Sequence, residues 1–202
     1  EAERLFTEEN DLPGLARIKY FMFITQMSRQ EPQAAFELAI EAIERDRELG
    51  DFESAARTYE LLSNLYTNFD GQTRPGPWLG AARDVLTATV QAQLAKGNFG
   101  KTSEALLGFG AFLTRLGEID DSQMILQRGV LFAIRATRFD VAALCHLWLG
   151  IVARENNDPE TFVDEVQRAR LMGSISGDPE VIETIERVLN PETEPDTPTQ
   201  VL

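Results

Sequence analysis

The chain has 202 residues, of which 43% are hydrophobic and 26% charged, and its formal net charge is −14 at pH 7. These proportions are typical of a folded soluble protein and argue against a disordered chain. The negative charge argues against a surface that binds nucleic acid, because such surfaces concentrate lysine and arginine.

Cysteine usage and hydropathy restrict the cellular setting. The single cysteine, Cys145, excludes an internal disulfide bond and a cysteine-based zinc site, as expected in a reducing compartment. The longest nearly unbroken apolar run is LCHLWLGIVA (144–153), which is too short to span a bilayer. We therefore expect a cytoplasmic protein that contacts neither nucleic acid nor membrane.

Apolar residues recur with helical spacing along almost the whole chain, and no segment alternates as a strand would. Helices are predicted at 12–29, 32–49, 52–69, 77–96, 99–116, 119–136, 139–155, 159–172 and 178–189. Their ends carry the residues that stop and start helices, namely Gly50, Gly97, Gly117 and Gly177 after the helices and Pro32, Pro159 and Pro179 in first turns. The sequence predicts an all-α protein.

The breaks between these helices are periodic. One series lies at 10, 50, 97, 137 and 177, and a second lies 20 residues later at 30, 70, 117 and 157. The one irregular interval, from 70 to 97, contains the loop GQTRPGP (71–77). Without that insert the chain consists of four helix pairs with a 40-residue period, which predicts a repeat architecture.

Equivalent positions in the repeats carry similar residues. Small residues predominate in the first helices at Leu15-Ala16, Ala55-Ala56, Thr102-Ser103 and Ala142-Ala143. The second helices share three positions, occupied by Ala35, Ala82, Ser122 and Phe162, by Ala39, Leu86, Leu126 and Val166, and by Ala42, Thr89, Gly129 and Ala169. Spacings of four and three place these positions on one helix face, where small residues permit close helix packing.

This pattern resembles the tetratricopeptide repeat. The first-helix positions of that family match Tyr59, Leu62, Ser63 and Tyr66, and again Leu106, Phe109, Gly110 and Leu113, and its second-helix positions match Ala35, Ala39 and Ala42, and again Ser122, Leu126 and Gly129. Thr137-Arg138 replaces the Gly-Asp step of the other repeats, and Lys19 and His146 occupy bulky positions. The 40-residue form is similar to repeats of bacterial signal-transduction ATPases and transcriptional activators.

The resemblance implies a right-handed α-solenoid of four antiparallel helix pairs plus a C-terminal capping helix, over residues 1–190. It implies a protein or peptide partner on the concave surface and no chemistry. Residues 191–202 are predicted to be a disordered acidic tail. Residues 1–9 align with the end of a second helix, so we expect further repeats or an effector domain upstream, or self-association through this end.

No catalytic constellation is evident. Cys145 and His146 are adjacent, but neighbours on a helix point about 100° apart, so packing roles are favoured over a nucleophile and its base. GFGAF (108–112) has neither the preceding strand nor the following lysine of a phosphate loop. We expect a protein that is not an enzyme and that needs no metal or cofactor.

The outward positions of the first helices are the candidate binding residues. They are Arg17, Tyr20, Arg57, Asn64, Asn68, Leu107, Thr114, Arg115, Leu147 and Arg154. Apolar anchors beside arginines suit a peptide or helix partner. Two alternatives remain: Leu144, Leu147 and Ile151 are covered by adjacent helices, or Arg57, Asn64, Arg115 and Arg154 hold a small polar or anionic effector. The 71–77 loop lies either at the rim of the site or outside it.

Overall fold

The computed structural model describes residues 5–6, 11–29, 31–68 and 78–189; the side chains of 32–33, 60, 63–68 and 78–79 are not part of that description. Within these ranges the regular structure is α-helical and contains no strand. The helices are α1 (Leu12–Ser28), α2 (Pro32–Glu48), α3 (Phe52–Asn68), α4 (Trp78–Ala95), α5 (Phe99–Arg115), α6 (Ile119–Arg135), α7 (Phe139–Glu155), α8 (Pro159–Ser176) and α9 (Pro179–Leu189).

The prediction of an all-α protein is confirmed for these ranges, and eight of the nine predicted helices end within a residue or two of the observed bounds. The exception is α8, which continues past the predicted end at 172 to Ser176. Gly173 does not stop this helix, because it lies in the interior of α8 with α9 packed against it. The 71–77 loop, the 191–202 tail and most of residues 1–9 lie outside the described residues.

Three-residue turns of one design connect most of the described helices. Between α5 and α6, the Gly117 N–H donates to the Thr114 carbonyl at 3.0 Å and the Glu118 N–H to the Leu113 carbonyl at 3.0 Å. This pair of bonds is a Schellman motif, which satisfies carbonyls that the helix end leaves without partners. The same pair recurs at the turns centred on Gly50, Gly97, Thr137 and Asn157.

The last residue of each turn serves both helices. The Glu118 N–H closes α5, while the Glu118 carbonyl accepts the first helical bond of α6, from the Ser122 N–H at 3.0 Å. Where this residue is Asp or Asn, its side chain also caps the new helix. The Asp51 side chain accepts a hydrogen bond from the Ser54 N–H at 3.1 Å, and the Asn98 side chain accepts one from the Lys101 N–H at 3.1 Å. A 17-residue helix plus this turn accounts for the 20-residue interval.

The middle residue of each turn has a left-handed backbone. Gly50, Gly97 and Gly117 have φ between 68° and 76°, and Thr137 and Asn157 have φ of 55° at the equivalent position. Asparagine tolerates this region, whereas a β-branched threonine is strained there. The turn is therefore imposed by the repeat even where the sequence lacks glycine.

The chain divides into two compact units within α4, residues 1–89 and 90–202. In the first unit α1 packs on α2 and α2 on α3, and the Thr89 hydroxyl of α4 donates to the Phe52 carbonyl of α3 at 2.9 Å. In the second unit each helix from α5 to α9 packs on the next. In addition α7 contacts both α5 and α9, so these three helices form one row.

Contacts in the second unit fix the helix directions. Gly110 lies against Leu126, and Gly129 lies against Leu106, so residue numbers rise along α5 as they fall along α6. These neighbours are therefore antiparallel. Glu104 bonds Arg138, and Arg115 lies over Trp148. The difference in residue number between the two partners is nearly the same in both contacts, so α5 and α7 run parallel.

The recurring small and apolar positions of the repeats form the helix interfaces. In the first helices all of them except Leu15 are buried, and so are the second-helix positions occupied by Ala39, Leu86, Leu126 and Val166 and by Ala42, Thr89, Gly129 and Ala169. At Gly110 the fit is tight, because a Cβ atom there would lie 2.4 Å from Leu126 Cγ and 2.5 Å from Cδ2. The repeat is therefore a packing constraint as well as a turn pattern.

Thr137→Gly is expected to raise the free energy of unfolding by about 0.5–1 kcal/mol, because relief of left-handed strain outweighs the added entropy of the unfolded chain. Asn157→Gly is the matched control and is expected to change stability by less, since asparagine already tolerates this backbone. Urea denaturation measures both. A Thr137→Gly variant that is less stable than the parent would contradict the strain argument.

Gly110→Ala is expected to lower the free energy of unfolding by about 1–3 kcal/mol, because the new methyl group overlaps the buried Leu126 side chain. Gly100→Ala on the same helix is the control: its Cβ would meet nothing closer than 3.8 Å, so we expect no loss and a gain of up to about 1 kcal/mol. Equal effects of the two substitutions in thermal unfolding would refute tight packing at Gly110.

Candidate functional site

In the first unit, the predicted binding residues with described side chains are largely accessible. Arg17 is exposed on α1, and Arg57 is exposed on α3, where it pairs with Glu53 at 3.3 Å. Tyr20 is half-buried and packs edge-on against Phe21 and Phe23, with ring centroids 5.9 and 6.3 Å away. The side chains of Asn64 and Asn68 lie outside the described residues.

In the second unit, two predicted binding residues are buried, so the expectation that their side chains face outward is wrong. Thr114 is 8% exposed; its hydroxyl donates to the Gly110 carbonyl at 3.0 Å and lies 2.6 Å from the Ser122 hydroxyl of α6. Leu147 is 3% exposed and packs with Val181 and Ile185 of α9. The alternative of coverage by adjacent helices therefore holds for Leu147, because α9 packs over this part of α7.

The remaining predicted residues of this unit differ in accessibility. Leu107 is half-buried and packs against the core formed by α6 and α7. Arg115 is also half-buried, with its guanidinium 4.9 Å from the centre of the Trp148 ring, a cation–π contact that links α5 to α7. Arg154 is exposed near the end of α7. Of the residues that the sequence predicts here, Arg154 is the most available to a ligand.

Arg138 forms an ionic cluster between α5 and α7 that the sequence pattern did not predict. Its guanidinium donates to Glu104 of α5 and, at 2.6 and 2.9 Å, to Asp140 of α7. Burial raises the pKa of Glu104, but hydrogen bonds from Lys101 and Arg138 outweigh it and hold that pKa below its usual value. The hydrogen bond from Arg138 likewise lowers the pKa of Asp140. Arginine at this turn thus joins successive repeats.

A second polar group lies buried between α7 and α8. His146 Nδ1 is 2.6 Å from Glu165 Oε2, and the other Glu165 oxygen accepts a hydrogen bond from Arg168 at 2.7 Å. Both His146 and Glu165 are buried. The sequence carries one indication that Glu165 is buried, because it follows Phe162 by three residues on the apolar face of α8. His146 therefore has a buried hydrogen-bond partner, Glu165.

Cys145 and His146 face different helices. Cys145 is fully buried with Leu126 and Leu149, and its Sγ is 2.9 Å from where a Cβ on Gly129 of α6 would lie. Burial raises the pKa of the Cys145 thiol to about 12, so the nucleophilic thiolate is disfavoured. His146 instead turns to α8. The two adjacent residues are not arranged as a nucleophile and its base.

Within the described ranges, no three His, Cys, Asp or Glu side chains are placed to hold a metal ion. None of the helices described is long and apolar enough to cross a membrane. No protein-family model matches the chain, and no curated protein matches it significantly.

Asp46 is a buried acid near the end of α2, and its titration should be visible in stability. Burial, and secondarily the charge of Asp51, raise the pKa of Asp46 to about 6. Because the folded state holds this proton more tightly than the unfolded state, the contribution of Asp46 to stability is fully present below about pH 4. It is lost as the pH rises through about 6.

Asp46→Asn is therefore expected to raise the free energy of unfolding at pH 7 by about 1–2 kcal/mol and to have much less effect at pH 4. Glu48→Gln, at an exposed position two residues along α2, is the control and should not reproduce this pH dependence. Urea denaturation at a series of pH values gives the difference. A benefit of Asp46→Asn that is the same at both pH values would contradict the assignment.

Proposed function

We propose that the chain is a tetratricopeptide-like right-handed α-solenoid that binds a protein or peptide partner. The observation that carries the proposal is the uniform helix unit, in which equivalent turns recur at Gly50, Gly97, Gly117, Thr137 and Asn157. Helix pairs stacked in this way form extended surfaces, and binding of proteins is the common use of such surfaces. On the resemblance of the repeats, the module belongs to a larger bacterial, cytoplasmic signalling or transcription-regulating protein.

The binding surface of this proposal is the solvent side of the first helices. In the second unit the parallel pair α5 and α7 supports it, because parallel first helices in contact are what a continuous inner surface requires. Arg17 and Arg57 are exposed cations on the first helices of the first unit, and Arg154 is an exposed cation on a first helix of the second unit, in an acidic protein. Exposed arginine favours a partner peptide that carries carboxylate groups, since it pairs with them by charge-assisted, bidentate hydrogen bonds.

The test is selection of peptides from a displayed library of random linear sequences by the full chain, followed by affinity measurement on the enriched peptides. Arg57→Glu is expected to weaken by about tenfold the binding of peptides held by the first unit, and Arg154→Glu that of peptides held by the second, through loss of the charge-assisted bond and addition of repulsion. Arg45→Glu and Arg187→Glu are charge-matched controls, because both arginines are similarly exposed and pair with a glutamate on their own helix.

The proposal requires the enriched peptides to bind the two control variants as they bind the parent. A library that yields no enriched peptide, or peptides whose binding survives both Arg57→Glu and Arg154→Glu, would overturn the proposed surface. Circular dichroism of each variant separates loss of binding from loss of fold.

A further inference from the structure

The outer face of α6 carries three exposed large apolar side chains. Leu131 is 69% exposed, Met124 55% and Ile134 44%. Scattered exposed apolar residues are common on folded proteins, but these three share one side of one helix. Together with Arg128 and Arg135 they form what we call the α6 stripe, in which Met124, Arg128, Leu131 and Arg135 follow one another at spacings of four, three and four.

The other second helices show what the repeat itself requires at these positions. The residues equivalent to Met124 are Glu37, Asp84 and Asp164, and those equivalent to Leu131 are Glu44, Gln91 and Leu171. On α2 the positions equivalent to Met124, Arg128, Leu131 and Arg135 are all acidic, namely Glu37, Glu41, Glu44 and Glu48. Charged residues thus satisfy the fold here, so packing of the repeat does not explain the apolar residues of α6.

The charge of the stripe is opposite to that of the protein. The chain carries a net charge of −14, yet the stripe contains two exposed arginines and no acidic residue. The acidic residues of α6, Asp120 and Asp121, lie in its first turn. Among the described residues, no hydrogen bond or ion pair of Arg128 is found. The Arg135 guanidinium lies 4.1 Å from the centre of the Phe99 ring. The equivalent residue on α8, Arg168, is bonded to Glu165 instead.

We propose that the α6 stripe binds an acidic amphipathic helix of a protein partner. Spacings of four and three are those of a helix that packs lengthwise against another helix, with side chains of each entering gaps between side chains of the other. Leu131 and Met124 supply the apolar contact, and Arg128 and Arg135 select carboxylates on the flanks of the partner. This surface is separate from that of the first helices and does not depend on it.

The probes are two synthetic helical peptides with the same leucine seam, one flanked by glutamate and one by lysine, titrated against the full chain by fluorescence anisotropy. We expect the glutamate peptide to bind and the lysine peptide to bind at least about tenfold more weakly. Arg128→Glu should reverse this preference. Leu131→Ser should weaken binding of the glutamate peptide by about tenfold. Leu171→Ser, at the equivalent position of α8, should leave its binding unchanged.

Failure of the glutamate peptide to bind, equal binding of both peptides, or insensitivity to Arg128→Glu would overturn the proposal. Sedimentation velocity of the chain alone tests a different occupant: self-association that Arg128→Glu abolishes would show that a second copy covers the stripe. Because Leu131 and Arg128 are exposed, neither substitution is expected to alter the circular dichroism spectrum.

Discussion

The fold depends on a backbone arrangement at the turns, in which one residue ends a helix with its N–H and begins the next with its carbonyl. At Glu118, Arg138 and Asp158 this leaves three residues between consecutive helices. The left-handed residue before each of them is required for the chain to reverse in so short a distance. With helices of 17 residues, the 20-residue interval follows from this arrangement.

A constant interval has consequences for packing. It returns equivalent positions to equivalent interfaces, so small residues such as Gly110 and Gly129 meet larger ones such as Leu126 and Cys145 on the neighbouring helix. Side chains then add contacts beyond immediate neighbours, as Arg138 does between α5 and α7. Where packing does not determine a position, as at Leu131, the residue is free to serve another purpose, and partner binding on the α6 stripe is the purpose that we infer.

Helices and turns could be predicted because their signals are local: glycine or asparagine at the left-handed position, proline in first turns and apolar residues at helical spacing. The accessible residues could not be predicted as well. Thr114 is buried through its bond to Ser122, and Leu147 through its contact with α9, and neither partner is apparent from periodicity within one helix. The pairing of His146 with Glu165 depends similarly on how α7 faces α8.

The most direct test of the shared turn residue is native-state hydrogen exchange of the backbone amides, measured by NMR. If the Glu118, Arg138 and Asp158 N–H groups are bonded as described, they should exchange as slowly as amides near the ends of the helices they close. Exchange at rates typical of exposed loop amides would contradict the account. In that case the 20-residue interval would need an explanation other than the turn.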